Sequence, residues 1–314
     1  MIYFCIAVFV ISVLSVFAWR KINTKIVGID INKPSQPKVT ESAGVALLIP
    51  LWAVLAYLLL QAFSIELLAF GLMVSGFSII GFLDDTKTKW KSSVMPWMTR
   101  ALPIAVISLA FAWIAAPSLL WVVPVALFIA ALASFQNTFA GLNGWQGGSG
   151  LLIALAVAIL LAGAGFQTLA FALAAIILGF LAWNRYPARV FEGDSGTLLI
   201  GSATAGILAL TGRIELMAFS LLFYLPHLVD FFLLKMLTNR KDPSQQKIRP
   251  YRLLKDGRLA IPEYPDGKAR YDFAKLIMRI FGPLKEWQIV AVIWAAVALN
   301  CIIWIIAAKI AFLF

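Results

Sequence analysis

The sequence predicts an all-α polytopic membrane protein, and three observations carry that expectation. Of 314 residues, 62% are hydrophobic and 13% charged, with a mean hydropathy of +0.91, well outside the range of soluble domains. Apolar runs long enough to cross about 30 Å of hydrocarbon recur from one end of the chain to the other. The basic residues are confined to alternate connections, which is the asymmetry that orients helices in a bilayer.

Hydropathy divides the chain into about ten transmembrane helices, at 2–19, 43–62, 67–83, 97–116, 119–139, 150–161, 166–183, 197–210, 216–237 and 289–314. The first has no basic residue before its apolar run and no A-x-A site after it, so it reads as a retained helix rather than a signal peptide. The connections 20–42, 84–100, 140–148, 184–194 and 235–287 hold every Lys and Arg except Arg213 and Lys309. Among acidic residues only Glu66 and Glu215 fall on the other side. By the positive-inside bias these connections are cytoplasmic and both termini face outward.

The longest polar stretch, 238–285, has too few apolar residues for a core of its own, so residues 1–314 read as one membrane domain. The net charge of +11 is topology signal with some attraction for anionic lipid or phosphate. No nucleic-acid partner is expected, although the cluster at 240–270 would be its patch. Cys5 and Cys301 sit in apolar runs and read as small buried hydrophobes. His227 and Asp230, in LPHLVDFF, are the only ionisable groups well inside a span. A proton relay is the functional reading of this pair; hydrogen bonding near the end of the helix is the structural one, and we favour it.

Three constellations gather at the ends of these spans. In GFLDD, Asp84 and Asp85 stand where an apolar helix emerges, and adjacent carboxylates there can hold a divalent cation or manage a proton on a phosphate; alone, the pair also fits a solvated loop start. In NTFAGLNGWQGGSG, Asn137 ends a span and Asn143 follows in a Gly-rich turn, where backbone can approach a ligand closely; interhelical amide bonding is the alternative. In VFEGDSG, Asp194 precedes the next apolar helix, where it can act as an N-cap for Ser195 onward or hold a metal beside a phosphate at the helix N-terminus. Oxygen groups on three hairpins suit Mg²⁺, which is usually held by one or two protein groups plus substrate phosphates. No His–Cys cluster offers a rival metal.

These motifs, together with GIDINKPSQPKVTESAG at 28–44, WNRYPARVFEGD at 183–194 and the basic loop KIRPYRLLKDGRL at 247–259, resemble those of the polyprenyl-phosphate N-acetylhexosamine-1-phosphate transferases. Within that family, of the glycosyltransferase 4 type, the chain looks most similar to the UDP-GlcNAc:dolichyl-phosphate GlcNAc-1-phosphate transferases. The resemblance runs in order over nearly the whole chain. It implies transfer of GlcNAc-1-phosphate from UDP-GlcNAc to a polyprenyl or dolichyl phosphate with release of UMP, the first step of lipid-linked oligosaccharide assembly for N-glycosylation, with Mg²⁺ or Mn²⁺ as cofactor. Asn137 and Asp194 look like the metal ligands. Asn143 would read the uracil edge, Phe191 would stack on its ring, Ile31 would meet it through backbone, and Glu41 would line the nucleotide pocket. Asp84 and Asp85 would sit beside the lipid phosphate as catalytic groups. Lys247, Arg249 and Arg252 would close over sugar and phosphates.

The sequence departs from the family pattern at two places. The family's lysine or arginine about ten residues beyond the aspartate pair falls in WKSSVMP, leaving Lys91 or Lys89 to serve, and the basic loop lacks the family's histidine. A bacterial-type transferase acting on undecaprenyl phosphate is the alternative within the class, and a transporter or lipid flippase the alternative outside it. The transporter reading would place its site near the bilayer midplane rather than at helix ends. The absence of an N-x-S/T sequon and the short loops fit a prokaryotic, archaeal cell membrane with a cytoplasmic site, and a homodimer through a lateral helix face is compatible with the pattern.

Overall fold

Each of the ten apolar runs folds into helix, because such segments can satisfy their backbone N–H and C=O groups internally in an apolar surround. The computed structural model describes residues 1–90, 97–163, 165–238, 249–264, 267–268 and 270–310. Helix α1 (Ile2–Ile22) is followed by strands β1 (Val27–Ile29) and β2 (Lys38–Thr40), then a 3-10 turn (Ala43–Leu47) that leads into α2 (Leu48–Gln61). Next come α3 (Ile65–Trp90), α4 (Trp97–Ala115), α5 (Val122–Thr138), α6 (Trp145–Leu160), α7 (Gln167–Asn184) and α8 (Gly193–Leu210). The following span is compound: α9 (Ile214–Ser220), a 3-10 turn (Leu221–Tyr224), α10 (Leu225–Leu228) and a π-helical stretch (Val229–Met236). Strands β3 (Arg252–Leu253) and β4 (Arg258–Ala260), helix α11 (Phe273–Phe281), strand β5 (Leu284–Lys285) and α12 (Glu286–Ile310) complete the order.

Two features differ from the expectation of ten spans in an all-α chain. Among the described residues, eight helical segments are long and apolar enough to cross a membrane. Helix α6 has 16 residues, and α8 is rich in Gly, Ser, Thr and Ala, which lowers its hydropathy. The second difference is two small antiparallel sheets, β1–β2 and β3–β4–β5. The first pairs Val27 with Thr40 and Ile29 with Lys38, and its β-branched residues fit a pleated surface; runs of three residues are too short to stand out by periodicity.

The small residues of α8 explain its place at the centre. Residues 195–209 are buried throughout, and α8 packs against α3, α5, α6 and α7, since small side chains let helix backbones approach closely. At the periphery, α1 lies along α7, where the Ser12 hydroxyl donates to the Ile176 carbonyl at 2.7 Å. A Cβ on Gly179 would stand 2.6 Å from Ser12 Cβ and 2.8 Å from the Phe9 carbonyl oxygen.

In the compound span, Asp230 behaves as the structural reading expects. Its Oδ1 accepts from the Phe273 N–H at 2.7 Å, and Lys235 Nζ lies 2.6 Å from Oδ2, tying the start of α11 to the π-helical stretch. His227 does not follow that reading: neither ring nitrogen has a hydrogen-bond partner among the described residues. Its ring instead lies 4.0 Å, centroid to centroid, from Phe139.

Replacing Gly179 by leucine should push α1 away from α7 and lower the unfolding free energy in detergent by about 1–3 kcal/mol, the usual cost of overpacking. Thermal unfolding of the purified variant measures this, and an unchanged midpoint would mean that α1 is not held at that contact.

Candidate functional site

The polar ends of the helices enclose a cavity of about 350 Å³. Its walls come from the β1–β2 connection, the ends of α3, α5 and α7, the turn before α6, the start of α8, and Pro250 of the basic loop. Of the residues singled out from sequence, Ile31, Glu41, Asp85, Asn137, Asn143, Phe191 and Asp194 line it. Residues up to 163 positions apart are thus brought to one place.

The two aspartates of α3 face different partners, as consecutive helical residues must at about 100° per residue. Helix α3 continues past the pair to Trp90, so neither stands at a loop start. Asp85 reaches the start of α8: its Oδ1 accepts from the Asp194 N–H at 3.0 Å, and its Oδ2 accepts from the Ser195 N–H at 3.4 Å and the Ser42 hydroxyl at 2.8 Å. Asp85 therefore supplies from another helix the acceptors that the first N–H groups of α8 lack. Asp194 does not serve as that helix's N-cap; it lies inside the first turn. The approach is close: a Cβ on Gly81 would fall 2.4 Å from the Asp194 carbonyl carbon, and one on Gly193, whose φ is +67°, would fall 2.2 Å from Asp85 Oδ2.

Asp84 turns toward α4. Arg100 Nη1 donates to Asp84 Oδ2 at 2.7 Å and to Asp194 Oδ2 at 3.0 Å, so one guanidinium bridges carboxylates from α3 and α8. Asp84 Oδ1 is buried without a partner among the described residues. Arg100 was missed in the sequence because it falls inside an apolar window, in the first turns of α4. Asn137, in the last turn of α5, meets α8 through the Thr197 hydroxyl, 3.0 Å from its Oδ1, and that hydroxyl is 3.2 Å from the Asp194 carbonyl oxygen.

Phe191 is placed by backbone. Its N–H donates to the Thr40 carbonyl at 2.8 Å, and Val190 bridges Thr40 in parallel register, so the segment before α8 extends the β1–β2 hairpin. A Cβ on Gly28 would come within 3.0 Å of the Phe191 ring and 2.6 Å of Glu41 Oε2. The backbone of Glu41 is fixed as well: its carbonyl accepts from the Trp19 indole and the Asn23 amide, each at 3.0 Å. Glu192, next to Phe191, is 5% exposed, and burial pushes its carboxyl up to about 8 against the bond from the Gly147 N–H.

The basic loop caps the opposite side. Tyr251 is buried, with its hydroxyl donating to Asp272 Oδ2 at 3.3 Å, and that hydroxyl lies 2.6 Å from where a Cβ on Gly141 would stand. Burial and the nearby Asp272 push the Tyr251 phenol well above its ordinary value. Arg249 and Arg252 flank Pro250 but are themselves exposed; Arg252 pairs with Glu263 at 2.9 Å rather than lining the cavity. Lys91 and Lys247 lie outside the described residues.

Among the described residues, no three His, Cys, Asp or Glu side chains converge as a complete metal cage. Mg²⁺ does not need one, because it retains waters and substrate oxygens and takes one or two protein ligands. The side chains at the junction of α3, α5 and α8 are oxygen donors, and the unpartnered Asp84 Oδ1 leaves acceptor capacity for a cation. The residues present fit a hard divalent ion.

The protein is thus a bundle of long apolar helices that carries an oxygen-rich cavity at the polar ends of those helices, beside which the Arg100 guanidinium bridges Asp84 and Asp194. Residues 67–212 match glycosyl transferase family 4. A protein of Saccharolobus solfataricus with the provisional name UDP-N-acetylglucosamine–dolichyl-phosphate N-acetylglucosaminephosphotransferase is 30% identical, over 90% of this chain and 88% of its own length. A protein of the same provisional name from Sulfolobus acidocaldarius is 30% identical over 85% of this chain and 83% of its own. The phospho-N-acetylmuramoyl-pentapeptide-transferase of Trichormus variabilis is 31% identical over 56% of this chain and 54% of its own. The chain belongs to glycosyl transferase family 4.

The buried Glu192 carboxyl yields a pH prediction. Its native value of about 8 lies above the ordinary 4.5, so the native state keeps a proton that the unfolded chain releases. Its contribution is full below about 4.5 and is lost as pH rises through about 8, at about 1.4 kcal/mol per pH unit in that window. Glu192→Gln should keep the fold and abolish this component, so the stability difference between variant and wild type should grow with pH. A difference constant from pH 5 to 8 in unfolding measurements would refute it.

Proposed function

We propose that the protein is an integral membrane transferase that moves GlcNAc-1-phosphate from UDP-GlcNAc to a polyprenyl phosphate, dolichyl phosphate by preference, releasing UMP and starting the assembly of a lipid-linked oligosaccharide. The observation that carries this reading is the bridging of Asp84 and Asp194 by Arg100, with Asp194 and Asn137 lining the adjoining cavity together with Phe191 and Asn143. The whole-length similarity to the two archaeal phosphotransferases supports the substrate pair; the bacterial relative matches over about half of either chain and gives no preference for undecaprenyl substrates. In this reading ten helices span an archaeal cell membrane, α6 and α8 included, with both termini outside and the cavity at the cytoplasmic surface where the basic loops lie.

In the reaction an oxygen of the lipid phosphate attacks the β-phosphorus of the nucleotide sugar. The bond from that phosphorus to the bridging oxygen breaks, and UMP leaves with the electron pair. A phosphate monoester is already largely dianionic near pH 7, with a second pKa of about 6, so no strong base is required. The demand is for charge neutralisation and in-line placement. Asn137 and Asp194 would hold Mg²⁺, which when bound neutralises charge on the diphosphate. Arg100 exchanges carboxylate partners for phosphate oxygens. Asp84, as a partner of Arg100, fixes where that guanidinium meets the attacking phosphate, whereas Asp85, with both oxygens committed to α8 and Ser42, positions the helix that bears Asp194. Phe191 and Glu41 form the wall against the base, and Arg249 and Arg252 approach the sugar when the basic loop closes.

The test is UMP release by purified protein given UDP-GlcNAc, dolichyl phosphate and Mg²⁺, each omitted in turn. Release that requires all three and is blocked by tunicamycin is expected; release with another UDP-sugar only would move the substrate, and release with none would end the transferase reading. Asp194→Asn should reduce turnover by at least about 100-fold with an unchanged unfolding midpoint, and near-normal turnover would remove Asp194 from the site. Phe191→Ala should raise KM for the nucleotide sugar roughly tenfold with little change in kcat, as loss of ring stacking predicts; steady-state kinetics distinguish this from a fall in kcat alone.

A further inference from the structure

Asn143 is held by a buried polar group that dictates which way its side-chain amide faces. Its Nδ2 donates to Asp30 Oδ2 at 2.9 Å, and its backbone N–H donates to Glu286 Oε1 at 2.8 Å. Lys33 ties the two acids together, with its ammonium 3.3 Å from Asp30 Oδ2 and paired with Glu286 Oε2. Asp30, Asn143 and Glu286 are 4%, 7% and 3% exposed, so water does not compete for these bonds.

An asparagine amide can turn over with almost no change of shape, exchanging a donor for an acceptor. A carboxylate beside an ammonium has only acceptors to offer, so Asp30 selects the orientation with the NH₂ toward itself and the carbonyl Oδ1 away from it. Asn143 lines the cavity, and its Oδ1 has no partner among the described residues.

We propose that Asp30 is a specificity-determining positioning residue: by locking the Asn143 amide it presents Oδ1 to the cavity as a fixed acceptor, which admits uracil and refuses cytosine. This rests on the uridine diphosphate-sugar reading above. The N3–H of uracil donates to that oxygen, whereas N3 of cytosine carries a lone pair and would leave two acceptors facing each other in a buried place. Lys33 and Glu286 keep Asp30 and the Asn143 backbone from shifting to relieve such a mismatch.

The experiment is equilibrium binding of UMP and of CMP to the full-length protein in detergent with Mg²⁺, for wild type, Asp30→Asn and the exchanged pair Asp30→Asn with Asn143→Asp, each with its thermal unfolding midpoint. Wild type should prefer UMP by about 100-fold or more, as buried polar readout does. Asp30→Asn lets the amide face either way and should cut the preference below about tenfold. The exchanged pair keeps the same charge and the same hydrogen-bonding atoms, again points an acceptor at the cavity, and should restore the preference. An unchanged UMP-to-CMP ratio in Asp30→Asn, with both nucleotides weakened alike, would reduce Asp30 to a structural residue and overturn the inference while leaving the uridine reading intact. Should Asp30→Asn fail to fold, Asp30→Ser, whose hydroxyl can meet either end of the Asn143 amide, decides in its place: a preference below about tenfold upholds the inference and an unchanged ratio overturns it. Wild type that binds neither nucleotide would overturn the uridine reading together with the inference.

Discussion

A helix that begins inside a membrane protein brings N–H groups with no intrahelical partner, and leaving them unmet costs about 1–3 kcal/mol each. The start of α8 is such a place. Its answer comes from α3, whose Asp85 accepts from the N–H groups of the second and third residues of α8, Asp194 and Ser195. That bond requires α3 and α8 to touch without intervening side chains, hence glycine at 81 and 193. Once the two helices are joined in this way, Asp194 and Asp84 are brought near enough for a single guanidinium to bridge them. The acidic centre is thus a by-product of how a buried helix end is satisfied.

The same junction organises the other wall. The chain entering α8 pairs with Thr40, so the β1–β2 hairpin hangs from the helix start. The Ala43 and Gly44 N–H groups donate back to the Phe191 and Glu192 carbonyls, each at 3.0 Å. A short hairpin is marginal in isolation; here it is closed onto a helix end on one side, and its connection is fixed by Lys33 and Glu286 on the other. The basic loop is fixed from another side, through Tyr251 to Asp272 at the start of α11, which Asp230 holds in turn.

Hydropathy made the helices legible, since apolar runs report burial directly; the polar motifs at helix ends pointed to Asp85, Asn137, Asn143 and Asp194, and the family resemblance added Ile31, Glu41 and Phe191 to the residues that line the cavity. What escaped notice has physical causes. The run at 197–210 reads as a span like the others, and its place at the buried centre follows only from its small residues meeting four other helices. Arg100 and Glu286 stand in the first turns of long apolar helices, where a single charge barely alters a window average. Asp30 sits within a recognised motif, but its role depends on Asn143, which lies 113 positions away, and no local pattern encodes such a partner. The capping of α8 by Asp85 was invisible for the same reason: the sequence offers Asp194 as the nearer cap, and only the packing of α3 against α8 shows which carboxylate meets the helix end.

Phe191 and Asp194 are separated by two residues at a strand-to-helix junction whose backbone is bonded on both sides. An aromatic wall and an acidic group carried on so short and so constrained a segment cannot drift apart independently. The distance between the ring and the carboxylate is therefore set in backbone, and a change in the tilt of α8 would carry both walls of the cavity together rather than part them.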